Sequence, residues 1–479
     1  MKQPVFYDPS GRRGIWARRV VAALLVLLVA AVLAFATTLI AVEPDRDLAL
    51  PLPQAHAARL TGLSRLGHNL KGWLPRSLRG HSGTKPLTIG FYVPDDAMSI
   101  ASLTRNFGQL NWVVPATVSV SGSDHHLTIT QDKQFDRAIT AMPRAPKVLP
   151  MVQNYGNEAW DATNVAPLLQ DAHQRLKLAK ALGQMVVKQQ DAGLVIDFEM
   201  LPANALPGYV RFLATLRAQM PQGAKLAVTV PAGDDSWPLA AIARTTDHVI
   251  LMAYDQHWQG GQSGPVAAQD WFVRQVENVQ RQVGAAKLVV ALGSYAYDWH
   301  GGKADALSLE EAWLSAHDSA APVQFDPGSG NAGFAFDEDD GHHHQVWMLD
   351  AATSWNQLQA LRRMGLQSVA LWRLGSEDSG IWSDLAAFRK GGTPKLTLLR
   401  SSLNADVEGN GELLRITATP RDGARRVHFN AQGLIDSETY LNLPTPYQVQ
   451  RMGMRPHMVA LTFDDGPDAT WTPKILNVL

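Results

Sequence analysis

Two carboxylates, Asp197 and Glu199, come at the end of an apolar run that begins at Gly193. Such a run is typical of a buried strand in a parallel sheet, where side chains two residues apart point to the same face. The carboxylates are therefore predicted to lie side by side at the carboxyl end of a strand, where a β/α barrel carries its catalytic residues. Because buried charges must share a proton or meet a ligand, acid–base catalysis is one interpretation. The other is a strand that happens to end in two solvated carboxylates.

The position of both carboxylates on one strand face restricts the chemistry they could perform. A carboxyl group near a second carboxylate has a raised proton affinity, which would let Glu199 protonate a leaving oxygen, and the two groups are expected to titrate as a unit. Ordinary retaining glycosidases place two carboxyl groups on opposite sides of the scissile bond, whereas these lie on the same side. This arrangement indicates substrate assistance, in which the N-acetyl carbonyl of the sugar attacks and Asp197 holds the amide.

The elements that must position these carboxylates alternate between short apolar runs and longer amphipathic stretches. The runs predicted to be strands are Leu87–Val93, Trp112–Val120, Lys147–Gln153, Gly193–Glu199, Leu226–Val230, His248–Tyr254, Lys287–Gly293 and Ser368–Trp372. Strands that alternate with helices over roughly 300 residues predict a (β/α)8 TIM barrel. An open doubly wound sheet is the alternative, although no Gly-rich phosphate-binding loop follows any of the runs.

Four segments resemble glycoside hydrolase family 18, the chitinase-like barrels. Ala192-Gly-Leu-Val-Ile-Asp-Phe-Glu199 resembles the signature of the fourth strand, in which three Asp and a terminal Glu alternate. Three more segments follow in the order of the family's sixth, seventh and eighth strands: Met252-Ala-Tyr254-Asp255-Gln-His-Trp258, Tyr295-Ala-Tyr-Asp298-Trp299 and Ala370-Leu-Trp372-Arg-Leu-Gly375. The resemblance spans about residues 86–390 and is greatest for the branch that includes spore-cortex-lytic and peptidoglycan-directed members.

The resemblance implies a role for each matching residue. Glu199 matches the general acid/base, and Asp197 matches the carboxylate that orients the acetamido group and stabilises an oxazolinium-type intermediate. Tyr254 matches the hydroxyl that holds the acetamido carbonyl, and Trp372 matches the aromatic floor on which the sugar stacks. Asp255 is expected to line the same cleft. The alternative for Tyr254 and Trp372 is an ordinary packing role.

The chain departs from the family signature at two positions. The first and middle Asp of the signature fall on Ala192 and Val195. Without the middle Asp, the charge state of Asp197 is expected to depend on Glu199 and substrate alone, and Asp191 is one residue out of register. The resemblance therefore leaves two functions open: a slow glycoside hydrolase, or a barrel that binds glycan without cutting it and guides the polymer.

The N-terminus carries the main indication of location. Val20–Val42 is a run of 23 uncharged residues, which at about 1.5 Å per residue can span a bilayer core of roughly 30 Å. Four Arg precede it and three acidic residues follow it, namely Arg12, Arg13, Arg18, Arg19, Glu43, Asp45 and Asp47. The positive side stays in the cytoplasm, so a single-pass anchor with an extracytoplasmic barrel is predicted. A signal peptide cleaved after Ala34-Phe-Ala36 is the alternative.

Composition excludes several classes of site and partner. Lys plus Arg number 43 against 44 Asp plus Glu, so no basic excess exists to bind nucleic acid. The chain has no Cys and therefore no disulfides or thiolate metal sites. His342-His-His344 lies at the tip of a predicted inserted hairpin near residues 320–350, but neighbouring side chains diverge, so no metal is predicted in the barrel. Glu338-Asp-Asp340 beside it is expected to be solvated.

The C-terminal part changes character. Residues 391–450 are predicted to be a connector with β segments. Residues 451–479 contain Thr462-Phe-Asp464-Asp465-Gly466-Pro467-Asp468, which resembles the first motif of NodB-homology polysaccharide deacetylases. That resemblance implies a base at Asp464 and a metal ligand at Asp465. The His ligands of a later motif are absent, so no deacetylase activity is expected of this chain, although an intact domain would need a divalent metal. A chance loop is the alternative.

Together these patterns predict a multidomain polysaccharide-modifying protein. The predicted order is a cytoplasmic tail (1–19), a membrane anchor (20–42), a linker (43–85), a family 18-like barrel (86–390), the connector and a truncated β/α-barrel-type deacetylase domain. The predicted activity is cleavage of a GlcNAc-containing polysaccharide by substrate-assisted retention, and the barrel needs no cofactor. Similar fusions continue into a membrane glycosyltransferase, so the intact protein is expected to act on one polymer in several ways.

Overall fold

The computed structural model describes residues 85–156, 159–338, 341–401, 405–411, 413–453 and 467–478. These residues belong to one compact unit, Ser82–Leu479. Within the described part of the chain, no helix is long and apolar enough to cross a membrane. The predicted anchor at residues 20–42 and the deacetylase-like Asp464 and Asp465 lie outside the described residues.

Eight parallel strands, numbered β1 to β8, close into a barrel. They are Thr88–Tyr92 (β1), Trp112–Pro115 (β2), Lys147–Val148 with Met151–Gln153 (β3), Gly193–Asp197 (β4), Lys225–Pro231 (β5), His248–Met252 (β6), Leu288–Gly293 (β7) and Val369–Trp372 (β8). The barrel closes where Thr88 of β1 pairs with Val369 of β8. The strand β3 is interrupted at Pro150, which has no N–H to donate to the ladder. The predicted barrel is confirmed, and an open sheet is excluded.

Because side chains alternate along each barrel strand, the apolar core of the barrel has two parts, one outside and one inside the ring of strands. On β4, Leu194 and Ile196 belong to a large apolar cluster with the surrounding helices, whereas Val195 belongs to a second cluster inside the barrel. The helices are Ala97–Asn106, Lys133–Ala141, Ala162–Gln170, Ala172–Gln189, Leu206–Gln219, Leu239–Thr245, Gln269–Val283, Leu309–Asp318, Ala351–Arg363, Ile381–Lys390 and Thr472–Leu476. Residues at positions 195, 197 and 199 therefore share the inner face, as the period of two predicts.

Two pairs of short strands lie next to β3. Val118–Ser121 pairs in parallel with the second half of β3 and antiparallel with His126–Ile129. Tyr155–Gly156 and Ala159–Trp160 form a small hairpin directly after β3. Both additions lie at the carboxyl end of the barrel strands, because each follows the last residue of a barrel strand.

The predicted inserted hairpin is part of a larger structure. Asn331–Asp337 and His343–Met348 do pair antiparallel. However, the insertion between β7 and β8 also contains Ala296–His300, Lys303–Leu307, the helix Leu309–Asp318 and Gln324–Asp326. Their sheet, here called the insertion sheet, continues through Ile435–Asn442, Gly423–Phe429 and Leu398–Leu399. A two-stranded hairpin is too small because its apolar residues, such as Phe334 and Val346, need the helix and Leu399 to cover them.

The connector is thereby joined to the barrel unit. Three of its strands extend the insertion sheet, and Ala405–Glu408, Tyr447–Met452 and Leu413–Ala418 form a separate three-stranded sheet in that order. Arg425 is fully buried, with Nη1 2.6 Å from Asp378 Oδ2 and 3.2 Å from Glu438 Oε1. Because Asp378 follows β8 and Arg425 lies on a connector strand, this ion pair ties the connector to the barrel.

Candidate active site

The carboxylate of Asp197 is held between the two strands that flank β4. Asp197 is 2% exposed. Its Oδ1 accepts a hydrogen bond from the Thr229 hydroxyl of β5 at 2.5 Å, and its Oδ2 accepts one from Nε2 of Gln153 on β3 at 2.9 Å. Sequence reasoning missed both donors. The expectation that Asp197 depends on Glu199 and substrate alone is therefore wrong, because two neighbouring donors stabilise its ionised form.

The backbone of Glu199 is fixed by a third side chain that sequence reasoning missed. Asn154 is fully buried. Its Nδ2 donates to the carbonyl of Glu199 at 3.0 Å, and its Oδ1 accepts from the N–H of Glu199 at 2.8 Å. The next residue, Met200, has a left-handed backbone with φ 57°. The paired bonds fix the point at which the Glu199 side chain leaves the strand end, two residues beyond Asp197.

The environment of Glu199 favours its protonated form. Burial, together with the negative charges of Asp197 and Asp255, raises the pKa of Glu199 to about 9. Burial also raises the pKa of Asp197, but the hydrogen bonds from Thr229 and Gln153 oppose that rise. Among the described residues, no comparable hydrogen bond favours ionised Glu199. A proton shared by the two carboxyl groups is therefore held mainly by Glu199, which leaves Asp197 as the charged partner.

Tyr254 and Asp255 follow β6 and reach the same end of the barrel. The ring of Tyr254 packs edge-on against Tyr295, with centroids 6.0 Å apart. Asp255 adopts a left-handed backbone with φ 63°. Its Oδ1 accepts hydrogen bonds from the hydroxyls of Tyr295 and Tyr297, the latter at 3.0 Å. Burial and the charges of Asp255, Asp197 and Glu199 raise the pKa of Tyr254, so its hydroxyl stays a hydrogen-bond donor.

Trp372 is the last residue of β8 and is half-buried beside the apolar cluster inside the barrel. It pairs in register with Gly293 of β7. Its ring lies edge-on to Phe91 of β1, with centroids 5.3 Å apart and an interplanar angle of 64°. The structure thus places the five predicted barrel residues at the carboxyl end of the strands: Asp197, Glu199, Tyr254, Asp255 and Trp372.

Val195 lies at the position of the missing middle Asp, and Asp191 is the nearest carboxylate in the preceding sequence that could replace it. Val195 is fully buried in the cluster inside the barrel with Met151 and Ala227. Asp191 precedes β4 and so lies at its amino end, away from Glu199. Burial and the charge of Asp136 raise the pKa of Asp191 to about 7. Asp191 consequently cannot take the place of the missing middle Asp.

The described residues include one group of side chains that could hold a metal ion, and it lies in the insertion sheet. The group consists of Asp298, His300 and His344. The expectation that adjacent His residues diverge holds for His343 and His344, because His343 is exposed and His344 is buried. The prediction of no metal overlooked strand pairing, which brings His344 to residues on a distant part of the chain.

Comparisons with known proteins agree with the fold of the barrel region. The sequence model of glycosyl hydrolases family 18 matches residues 88–378. YdhD of Bacillus subtilis, to which a sporulation-specific glycosylase activity is attributed, is 27% identical over 305 residues, or 60% of this chain and 71% of that protein. The family match ends before residues 451–479, so the deacetylase resemblance stays a prediction.

Two solved structures share the fold of the barrel region. A chitinase from Chromobacterium violaceum superposes with a TM-score of 0.58 at 23% identity, covering 64% of this chain and 99% of the chitinase. The spore cortex-lytic enzyme SleL of Bacillus cereus superposes with a TM-score of 0.56 at 20% identity, covering 64% of this chain and 75% of SleL. At this level of identity the likeness concerns the fold alone.

Proposed function

This chain belongs to glycoside hydrolase family 18, and on that premise we propose that it cleaves a GlcNAc-containing polysaccharide by substrate-assisted retention. The observation that carries the proposal is the pair of carboxyl groups at the end of β4, where Asp197 is buried and Glu199 is half-buried. Glu199 has a pKa of about 9 and therefore carries a proton at neutral pH. Asp197 next to it receives two hydrogen bonds that favour its charge. One acid and one anion on the same side of a cleft fit a substrate that brings its own nucleophile.

The first step consumes the proton of Glu199. As the glycosidic bond breaks, Glu199 donates that proton to the leaving oxygen, and the acetamido carbonyl oxygen of the sugar attacks C1 from the opposite face. Asp197 accepts a hydrogen bond from the acetamido N–H, and its negative charge balances the positive charge that develops on the oxazolinium ring. Its oxygens each retain a lone pair for this contact, because Thr229 and Gln153 occupy one apiece.

The second step returns the proton to Glu199. The Glu199 carboxylate takes a proton from water, and the resulting hydroxide oxygen attacks C1 and opens the oxazolinium ring, so the configuration at C1 is retained. The Tyr254 hydroxyl donates to the acetamido oxygen, and Trp372 provides the surface on which the sugar ring stacks. The names of SleL and YdhD suggest peptidoglycan as one such substrate, and the chitinase suggests N-acetylglucosamine oligomers.

A glycan-binding barrel without turnover is the second candidate, and Val195 favours it. Because the buried valine occupies the position of the middle Asp of the family signature, Asp197 has, among the described residues, only Glu199 as a carboxyl group with which to share a proton. Such a barrel would guide polymer to a deacetylase. Both candidates use the same cleft, and they differ in whether product is released.

Product release separates the two candidates. Wild type and Glu199→Gln are incubated with N-acetylglucosamine oligomers, partially deacetylated glycan and peptidoglycan, and products are measured by mass spectrometry. Hydrolysis by wild type and at least a hundredfold less by Glu199→Gln is the expected result, as removal of a general acid costs about 10²–10⁴-fold. No product from either protein, with glycan binding retained, would make the barrel a binding module.

We further propose that Val20–Val42 anchors the protein in the cytoplasmic membrane with the barrel outside. The support is the charge asymmetry around this run, with Arg before it and acidic residues after it. The TFDDG-containing segment suggests that the same polymer is deacetylated by the protein to which this sequence belongs. Protease added to intact spheroplasts should degrade the barrel; protection of the barrel would contradict the proposed orientation.

A further inference from the structure

A cluster of charged and imidazole side chains lies on the insertion sheet, outside the barrel cleft. Asp298 and His300 are two residues apart on Ala296–His300 and so share one face of the sheet. The adjacent strand brings His344 beside them, and the rings of His300 and His344 stack with centroids 4.5 Å apart. Each of these three residues offers a ligand atom, and the three atoms lie within 4.8 Å of one another.

The centre of this cluster contains buried polar atoms for which the described residues provide no hydrogen bond. Nδ1 of His344 lies 2.8 Å from Oδ2 of Asp298, and their side chains are only 8% and 11% exposed. The other ligand atom of each residue, Nε2 of His344 and Oδ1 of Asp298, has no hydrogen-bond partner among the described residues. A buried polar atom without a partner is costly, so two in one cluster indicate an additional ligand.

We propose that Asp298, His300 and His344 bind a divalent transition-metal ion, with zinc preferred. Glu338 is not part of this ligand set, because its Oε1 lies 3.5 Å from Nε2 of His344, whereas Asp298 faces Nδ1 on the other side of the ring. Ligand atoms of a tetrahedral zinc site lie about 2.0–2.2 Å from the ion and hence about 3.4 Å from one another. The three ligand atoms of the cluster lie within 4.8 Å of one another, so small side-chain shifts would bring them to that spacing.

The donor set also suits zinc by its chemistry and charge. The chain has no Cys, so imidazole and carboxylate are the strong zinc ligands that it can supply. Two neutral imidazoles and one carboxylate neutralise part of the charge of a divalent cation and leave its fourth position open. Oδ2 of Asp305 lies 2.8 Å from Nε2 of His300 and holds that ring in place, as partners of metal-binding His residues do.

The position of the cluster gives the ion a structural role. Tyr297 and Trp299 alternate with Asp298 and His300 and therefore point to the opposite face of the sheet. On that face the Tyr297 hydroxyl donates to Asp255 at 3.0 Å. An ion bound by two strands of the sheet would fix the strand that carries Tyr297 and so hold Asp255 at the mouth of the barrel.

His343 provides a matched control for the proposal. It is the same residue type, directly adjacent to His344, but its side chain is 64% exposed and its Nδ1 pairs with Asp337 at 2.7 Å. A general affinity of surface His residues for zinc would involve His343 as much as His344. A site formed by Asp298, His300 and His344 would involve His344 but not His343.

Zinc binding to the full chain tests the proposal. The protein is produced without a polyhistidine tag, stripped with EDTA, and titrated with Zn²⁺ by calorimetry and with Co²⁺ by visible absorption. We expect one tight site with the intense d–d bands of tetrahedral cobalt. His344→Ala and Asp298→Asn should weaken that site at least tenfold, whereas His343→Ala should leave it unchanged.

Two results would overturn the proposal. One is zinc binding by wild type no tighter than by His344→Ala; the other is equal weakening by His343→Ala. Circular dichroism establishes that each variant is folded, and if His344→Ala is not, the more exposed His300→Ala decides the question. Glu199→Gln should bind zinc like wild type, so the outcome is independent of whether the barrel hydrolyses glycan. Metal bound elsewhere in the chain would be insensitive to all three cluster variants.

Discussion

Gln153 and Asp197 are directly opposite each other in the parallel pairing of β3 and β4, and the Gln153 amide donates to the Asp197 carboxylate at 2.9 Å. Asp197 therefore has a neutral donor on the neighbouring strand, Gln153. The family signature would instead give it a carboxylate on its own strand, at position 195. A neutral donor favours the ionised form of Asp197 instead of sharing a proton with it. In this barrel, donors on neighbouring strands thus oppose the rise in pKa that burial causes at Asp197, the group proposed to hold the acetamide.

Removing either donor should reduce hydrolysis. Hydrogen bonds to charged groups contribute about 1.5–3 kcal/mol, so Gln153→Ala and Thr229→Val should each lower kcat/KM by about ten- to a hundredfold. Thr229→Ser keeps the hydroxyl and is the matched control, with activity close to wild type. Unchanged kcat/KM in both Gln153→Ala and Thr229→Val would show that Asp197 does not need these donors.

Restoring the family's middle Asp should not restore a faster enzyme. Val195→Asp places a third carboxylate in an apolar cluster, while both oxygens of Asp197 already have donors. The free energy of unfolding should fall by about 3–5 kcal/mol, the range for an uncompensated buried charge, and turnover should not increase. Urea denaturation and product release measure the two effects, with Val195→Ala as a size control. A tenfold gain in turnover would contradict this view of the site.

The barrel and its inner-face residues were predictable because they depend on local patterns. The period of two along Gly193–Asp197 predicts that Val195, Asp197 and Glu199 share one face; the structure places Val195 inside the barrel, and the charge of Asp197 raises the pKa of Glu199. Gln153, Asn154 and Thr229 could not be predicted as partners, because they come from flanking strands and only the register brings them to β4. Polar residues at the ends of neighbouring strands were the available signal.

The insertion sheet shows the same limit. The sequence contains three adjacent His residues, but the hydrogen-bond partner of His344 is Asp298, which is 46 positions away. Antiparallel pairing of Ala296–His300 with His343–Met348 creates this contact. A pattern confined to one strand cannot show which strand will lie beside it, so both the cluster and the extent of the sheet were missed.

The pH dependence of hydrolysis should follow the proton on Glu199. Activity requires protonated Glu199 and ionised Asp197, so kcat/KM should fall above about pH 9, the pKa of Glu199, and also at acid pH as Asp197 gains a proton. Asp255→Asn removes a negative charge that raises the pKa of Glu199. The alkaline limb of the kcat/KM profile should therefore move to lower pH in this variant. An alkaline limb that stays in place, or moves upward, would contradict the assignment of Glu199 as the acid.

The same proton links stability to pH. The pKa of Glu199 is raised on folding from an ordinary 4.5 to about 9, so the folded state binds more protons than the unfolded state between these values. The contribution of this proton to the free energy of unfolding is fully present below pH 4.5 and is lost as the pH rises toward 9. The free energy of unfolding changes by up to about 1.4 kcal/mol per pH unit for one proton. Glu199→Gln should flatten this part of the stability profile, measured by urea denaturation at several pH values. Parallel profiles for the two proteins would exclude a buried proton on Glu199.

Arg425 should be essential for attachment of the connector strands to the barrel unit. Its guanidinium is fully buried between Asp378 and Glu438. Arg425→Met would leave both carboxylates buried without a cation, which should cost about 3–5 kcal/mol of stability.

Arg426 is the next residue on the same strand but is exposed, so Arg426→Met is the matched control and should change stability by less than about 0.5 kcal/mol. Limited proteolysis should release the strands after residue 398 in Arg425→Met before the barrel is cleaved, because the ion pair joins these strands to Asp378 beyond β8. Simultaneous loss of both parts would show instead that the insertion sheet and the barrel unfold as one cooperative unit, since the strands Gln324–Asp326 and Ile435–Asn442 also pair across that boundary.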